Sequence, residues 1–118
     1  MSFSLPKLEY SYDALEPHID ARTMEIHHSK HHQGYTNKLN AAIEGSENES
    51  KDILEILEGL NMSNMALRNN AGGYYNHKLF LEVMNPSYES VMSDGLTSAI
   101  NDAFGSFDNF KDAFSKAA

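Results

Sequence analysis

With 118 residues, the chain is long enough for one domain with a modest core but too short for two full ones. Its formal net charge of −8 argues against nucleic acid or an anionic membrane as the main partner, and the absence of Cys excludes disulfides, Fe–S clusters and Cys-type zinc sites. No apolar run approaches the roughly 20 residues of a membrane span, and the first residues do not resemble a signal peptide, which predicts a soluble cytoplasmic protein.

Residues 1 to 18 are predicted to form an extended N-terminal arm, because Pro6 and Pro17 interrupt regular structure. The apolar anchors of the arm are Leu5, Leu8, Tyr10 and Leu15. Residues 19 to 43 contain no proline and repeat apolar or histidine side chains every three or four positions, which predicts one helix of roughly 37 Å. The predicted stripe comprises Met24, His27, His31, Tyr35, Leu39 and Ala42.

The polar segment 45–50 predicts a loop that turns the chain back on itself. Ser50 is expected to cap a short helix that ends near Gly59, and a third helical run should extend from 62 to 84 before Pro86 stops it. The face predicted for this third helix carries Ala66, Gly73, His77, Phe80 and Met84. Two further short helices are expected at 96–104 and 106–117, and no β-alternation is evident.

Four of the six histidines fall between residues 27 and 32, and imidazole is a common ligand of Zn, Fe, Mn and Cu. His27 lies on the first stripe and His77 on the third helix. If these helices pack antiparallel, both imidazoles point into one shared interior. Each could instead be a core histidine satisfied by a hydrogen bond, but two of them beside a histidine cluster favour a metal site.

His31 and Tyr35 share the predicted face of His27. Tyr35 lies two turns, roughly 12 Å, from His27, so its phenol is expected to point back in a hydrogen-bonding role without reaching the metal. The alternative is a tyrosine that covers the core with its hydroxyl in solvent. His28 and His32 are predicted to lie at the margin of the stripe, on the helix surface.

Two familiar metal motifs fit poorly. A zincin requires His-Glu-x-x-His, and residues 27–31 lack the glutamate. A di-iron bundle requires two Glu-x-x-His motifs; residues 25–28 supply one, whereas residues 74–77 contain no glutamate. Neither class of metalloenzyme is therefore favoured.

Four segments resemble the iron/manganese superoxide dismutases. They are LPKLEY at 5–10, MEIHHSKHHQGY at 24–35, NNAGGYYNHKLF at 69–80 and FGSFDNFK at 104–111. The resemblance implies disproportionation of superoxide to O₂ and hydrogen peroxide at a redox-cycling metal, with one Mn or Fe ion per full subunit. It assigns His27 and His77 as two of four protein ligands to the metal. It assigns His31 and Tyr35 as catalytic residues that line the substrate funnel.

The resemblance also implies an all-α chain with two parts. Residues 1–92 would form a long antiparallel helical hairpin, and residues 93–118 the first short helices of an α/β C-terminal domain otherwise absent from this chain. That domain would supply the other two ligands, an Asp and a His, so the chain alone is expected to be inactive. The implied partners are superoxide and either further copies, as a dimer or higher oligomer, or a complementary C-terminal chain.

Two positions bear on the choice of metal. Gly73 stands where iron-type members of the family often carry glutamine, which favours manganese over iron. Leu81 stands where an aromatic residue is usual, which is expected to loosen the pocket wall.

The non-enzymatic alternatives are a helical-hairpin module for interaction or metal binding, and a helical bundle without metal.

Overall fold

The computed structural model describes residues 2–87 and 91–118, in two units, Met1–Pro86 and Ser87–Ala118. In the first unit, the helical segments are α1 Ala21–Ile26, a π segment His27–His32, α2 Gln33–Ile43, a 3₁₀ turn Glu47–Ser50, α3 Ile53–Glu58 and α4 Met65–Val83. In the second unit they are α5 Asp94–Phe104 and α6 Phe107–Ala117. The predicted all-α architecture is confirmed over these residues. The predicted domain boundary after residue 92 stays a prediction.

The first long helix runs without a break through α1, the π segment and α2. Asp20 caps its start, because the Asp20 side chain accepts a hydrogen bond of 2.8 Å from the backbone N–H of Thr23. The buried side chains along the helix are Met24, His28, His32, Thr36, Leu39 and Ile43. One α turn contains slightly fewer than four residues and one π turn slightly more. In a helix that combines both, residues four positions apart therefore stay on one face.

This face differs from the predicted stripe. His28 and His32 are only 9% and 1% exposed, so the prediction that they lie on the helix surface is wrong. The sequence pattern assumes a uniform α period, and the π segment changes the rotation between the two ends of the helix.

α4 packs antiparallel to this helix, with its N-terminal half against α2 and its C-terminal half against the π segment. The shared core consists of Leu39, Ile43, Ile53, Ile56, Leu67, Ala71 and Tyr74. The buried face of α4 carries Leu67, Ala71, Tyr74 and Leu81, one position away from the predicted face. Ala66 and Phe80 are exposed instead, because α3 and the arm cover the neighbouring side of the helix.

The cap of α3 also differs from the prediction. Asp52, and not Ser50, accepts hydrogen bonds from the N–H groups of Leu54 and Glu55, and Glu55 reaches back to the N–H of Asp52. This reciprocal capping box satisfies donors that the first turn of a helix otherwise leaves free.

The N-terminal arm builds a second core on the other side of the hairpin. Leu15, Met24 and Leu81 are its buried members. Leu81 therefore packs under the arm and does not line the cavity beside His27 and His77, where its size was expected to matter. Across residues 2–87 and 91–118, no helix is both long and apolar enough to cross a lipid bilayer.

The second unit is a pair of helices joined at Gly105, whose φ of 83° lies in the left-handed region that favours glycine. The Phe110 ring packs 5.2 Å from Phe104 and 5.9 Å from Phe114, centroid to centroid. The two predicted helices are present, with α5 beginning at Asp94 because the Ser93 hydroxyl caps it.

Candidate metal centre

His27 and His77 meet where the π segment crosses the C-terminal half of α4. Their ring centroids lie 4.9 Å apart and the ring planes are nearly perpendicular, at 89°. An open cavity of about 280 Å³ beside them is lined by these two residues, Asn76 and Phe80. The antiparallel packing thus brings together the two histidines that the sequence singled out as metal ligands.

The hydrogen bonding of His77 prepares one ring nitrogen for a metal. Nδ1 of His77 lies 2.8 Å from the backbone carbonyl oxygen of Gly73, so it must carry a proton and donate it. In the neutral form of the ring, the lone pair is then on Nε2. Histidines that bind metals are commonly oriented by such a hydrogen bond from the second nitrogen.

The surroundings of His27 favour its neutral form. Burial lowers the pKa of His27, and the neighbouring His77 and His31 lower it further because a second positive charge would be repelled. A neutral imidazole offers a lone pair to a cation, so the electrostatics suit metal binding.

Tyr35 contacts the candidate site by packing its ring against His77. Its ring lies 4.9 Å from the His77 ring and rests directly on the backbone of Gly73. A Cβ atom at Gly73 would overlap the Tyr35 ring, so this close approach requires glycine. The sequence pattern predicts that the phenol points back toward His27, and the structure shows the Tyr35 ring packed against the other candidate ligand, His77.

His31 is exposed, and its ring lies 6.2 Å from that of His27 in an edge-on arrangement. It does not line the cavity beside the histidine pair. His31 therefore borders the candidate site on the solvent side, as a residue lining an approach path would.

His28 is a buried member of the histidine cluster, and both of its ring nitrogens bond to the N-terminal arm. Both ring nitrogens of His28 are engaged, because Nδ1 accepts from the Tyr12 hydroxyl at 3.0 Å and Nε2 donates to the carbonyl oxygen of Pro6 at 2.7 Å. His28 therefore has no lone pair free for a metal. The four-residue spacing between Met24 and His28 could have indicated that His28 is buried. That spacing marks the buried face only when the π segment is known.

His32 is the most buried histidine, and its ring lies 5.4 Å from Tyr74 and 5.7 Å from His77. Neither ring nitrogen has a hydrogen-bond partner among the described residues. Burial, together with the proximity of His77 and His28, lowers its pKa to about 4, so the ring is neutral near pH 7. It supports His77 through ring packing.

The donor set suits a metal only in part. Imidazole nitrogen suits iron and is found with carboxylate oxygen in manganese and iron sites. Within residues 2–87 and 91–118, however, no group of three or more His, Asp or Glu side chains is arranged to hold an ion. The described residues therefore provide two ligands that fit, but not a full coordination sphere.

Comparison with known proteins identifies the family of the hairpin that carries these residues. Residues 2–85 match the family model described as the iron/manganese superoxide dismutases, alpha-hairpin domain. Over 122 aligned residues the chain is 51% identical to an iron superoxide dismutase of Raoultella planticola, and the alignment covers all of this chain and 72% of that protein. It is also 51% identical over 122 residues to a manganese superoxide dismutase of Pseudomonas aeruginosa, of which it covers 60%.

Proposed function

Because this chain belongs to the iron/manganese superoxide dismutase family, we propose that it supplies the helical-hairpin half of an enzyme that disproportionates superoxide at a Mn or Fe ion. The observation that carries the proposal is the facing pair of imidazoles, His27 and His77, on the two helices of the matched hairpin. The ion, when bound, supplies one-electron exchange that oxidises one superoxide and reduces the next.

In this proposal His77 binds through Nε2, since Nδ1 donates to Gly73, and His27 binds from the π segment. Mn²⁺ and Fe²⁺ lie at the low end of the divalent affinity order, so two imidazoles alone hold them weakly. The other two ligands, an Asp and a His, would come from outside these 118 residues. We therefore expect these 118 residues by themselves to show no dismutase activity.

Tyr35 and His31 take different tasks. The reduction of superoxide to hydrogen peroxide consumes two protons, and Tyr35, whose ring packs on His77 and on Gly73, carries a hydroxyl that can donate one. His31 is exposed beside His27, where superoxide would approach. Tyr35 is thus assigned to proton delivery and His31 to the lining of the approach.

We assign manganese ahead of iron. The two relatives are equally identical to this chain and their names carry different metals, so identity does not decide. Gly73 supports manganese, because iron-type members of the family often carry glutamine at this position. The Cβ atom of a glutamine here would overlap the Tyr35 ring. The outer-shell groups that tune the metal otherwise lie mostly outside this chain.

The proposed partners are superoxide and either a second subunit or a complementary C-terminal chain. The cavity at His27 and His77 is open, and Phe80 beside it is 46% exposed. Covering this apolar surface would exclude water from the ion and complete its coordination. A cytoplasmic location stays a prediction from the sequence.

The test combines metal analysis with complementation. The purified chain, incubated with Mn²⁺ or Fe²⁺, is assayed for superoxide removal alone and after mixing with the C-terminal part of the Pseudomonas aeruginosa relative. We expect no activity alone and activity in the mixture. His27→Ala and His77→Ala should each abolish it, whereas His18→Gln, which changes an exposed histidine on the arm, should retain it.

Two outcomes would contradict the proposal. Activity of the isolated chain equal to that of a full-length relative would exclude the idea that half of the site lies elsewhere. A stable, monodisperse chain that binds metal but gains no activity from the C-terminal part would indicate the non-enzymatic hairpin module.

A further inference from the structure

The N-terminal arm is attached to both helices of the hairpin by hydrogen bonds between distant residues. Tyr10 donates from its hydroxyl to the carbonyl of Leu81 on α4, at 2.6 Å. Further along the hairpin, Asn40 on α2 exchanges two hydrogen bonds with the backbone of Phe3, at 2.8 and 2.9 Å. Between these points the arm contacts the π segment itself.

That central contact is a three-residue clamp, which we define as Pro6, Tyr12 and His28. The Pro6 carbonyl can only accept, so Nε2 of His28 donates to it, and Nδ1 of His28 pairs with the Tyr12 hydroxyl. The His28 ring also packs 5.9 Å from the Tyr12 ring. With 9% of its surface exposed, His28 cannot replace these bonds with water at little cost.

The clamp acts on the turn that carries a candidate metal ligand. His28 directly follows His27, and both belong to the π segment His27–His32. A π turn is a rare alternative to the α-helix, so this one needs support from its surroundings. If the segment relaxed to an α-helix, the rotation between its two ends would change, and His27 would meet His77 at a different angle.

We propose that Pro6, Tyr12 and His28 are positioning residues that hold the π segment and thereby orient His27 toward His77. The inference rests on the proposed function, because it concerns the orientation of a residue assigned there to the metal. The N-terminal arm is then part of the metal site, although none of its described residues, 2–18, lines the cavity beside the two histidines.

The first measurement needs no metal. Ring-to-ring NOEs between His27 and His77 are recorded in the 118-residue chain and in His28→Leu, which removes both clamp bonds but keeps apolar volume. Tyr12→Phe removes one bond and covers the case in which His28→Leu does not fold. We expect a loss of the NOE in His28→Leu and a weakening in Tyr12→Phe.

The second measurement is the affinity for Mn²⁺ alone, followed by the decrease of its free EPR signal. We expect His28→Leu to lose about tenfold in affinity, the low end for groups that orient metal ligands. His28→Gln should recover most of it, because its amide can accept from Tyr12 and donate to Pro6. Such a rescue would distinguish hydrogen-bonded positioning from simple loss of packing.

Asn40→Ala is the matched control, since it removes two bonds to the arm about three turns away from His27. It should lower stability without changing the NOE. The proposal is overturned if His28→Leu and Tyr12→Phe behave like Asn40→Ala, or if the wild-type NOE is absent. Because the NOE needs no metal, it decides the positioning role even if the wild-type chain alone holds Mn²⁺ too weakly to measure. The proposed function fails separately, if mixing with the C-terminal part of the relative restores no activity.

Discussion

One added methyl group is expected to have different effects on stability at two neighbouring positions of α4. Gly72→Ala should stabilise the hairpin, because no atom lies within 4 Å of the new Cβ. Gly73→Ala should destabilise it relative to Gly72→Ala, because the new Cβ overlaps the Tyr35 ring. The two residues share one helix, so each substitution is the control for the other.

The magnitude follows from two opposing contributions. Replacing glycine by alanine inside a helix gains up to about 1 kcal/mol at either position. Forcing an extra carbon into a packed contact costs about 1–3 kcal/mol, which applies only at Gly73. The free energies of unfolding of the two variants should therefore differ by about 1–3 kcal/mol. For a unit of this size, that separates the melting temperatures by about 4 °C or more.

The measurement is urea and thermal unfolding followed by far-UV circular dichroism. The ring signals of Tyr35 and His77, compared by NMR, should shift in Gly73→Ala and remain in place in Gly72→Ala. If Gly73→Ala is as stable as Gly72→Ala and leaves the Tyr35 signals unchanged, the ring does not rest on the Gly73 backbone and this reasoning is wrong.

Two further predictions concern capping and pH. Asp52→Ala should cost about 1 kcal/mol in denaturant unfolding, whereas Ser50→Ala should change little; equal losses would contradict the observed cap of α3. In the metal-free chain, the His32 ring should titrate near pH 4, well below its ordinary 6.5. The unfolded chain then takes up the proton first, so stability should fall as pH drops from 6.5 toward 4, by up to roughly 3 kcal/mol. A His32 signal that titrates near 6.5 by NMR would refute this.

The sequence predicted much of the fold because its signals are local. Helical periodicity and the proline and glycine breaks gave the long first helix, expected over 19–43 and found from Ala21 to Ile43. The same pattern placed His27 and His77 on two helices that a short loop must fold back together. The resemblance of the histidine-rich segment to the iron/manganese superoxide dismutases indicated the family, which the comparisons then showed.

What the sequence alone determined is therefore which segments are helical and which residue types they bring to a possible metal. Only the tertiary structure decided which side of each helix is buried. The π segment buries His28 and His32 because Pro6 and Tyr12 on the arm bind one and Tyr74 on α4 packs on the other. Such contacts join residues far apart in the chain, so no local period could reveal them.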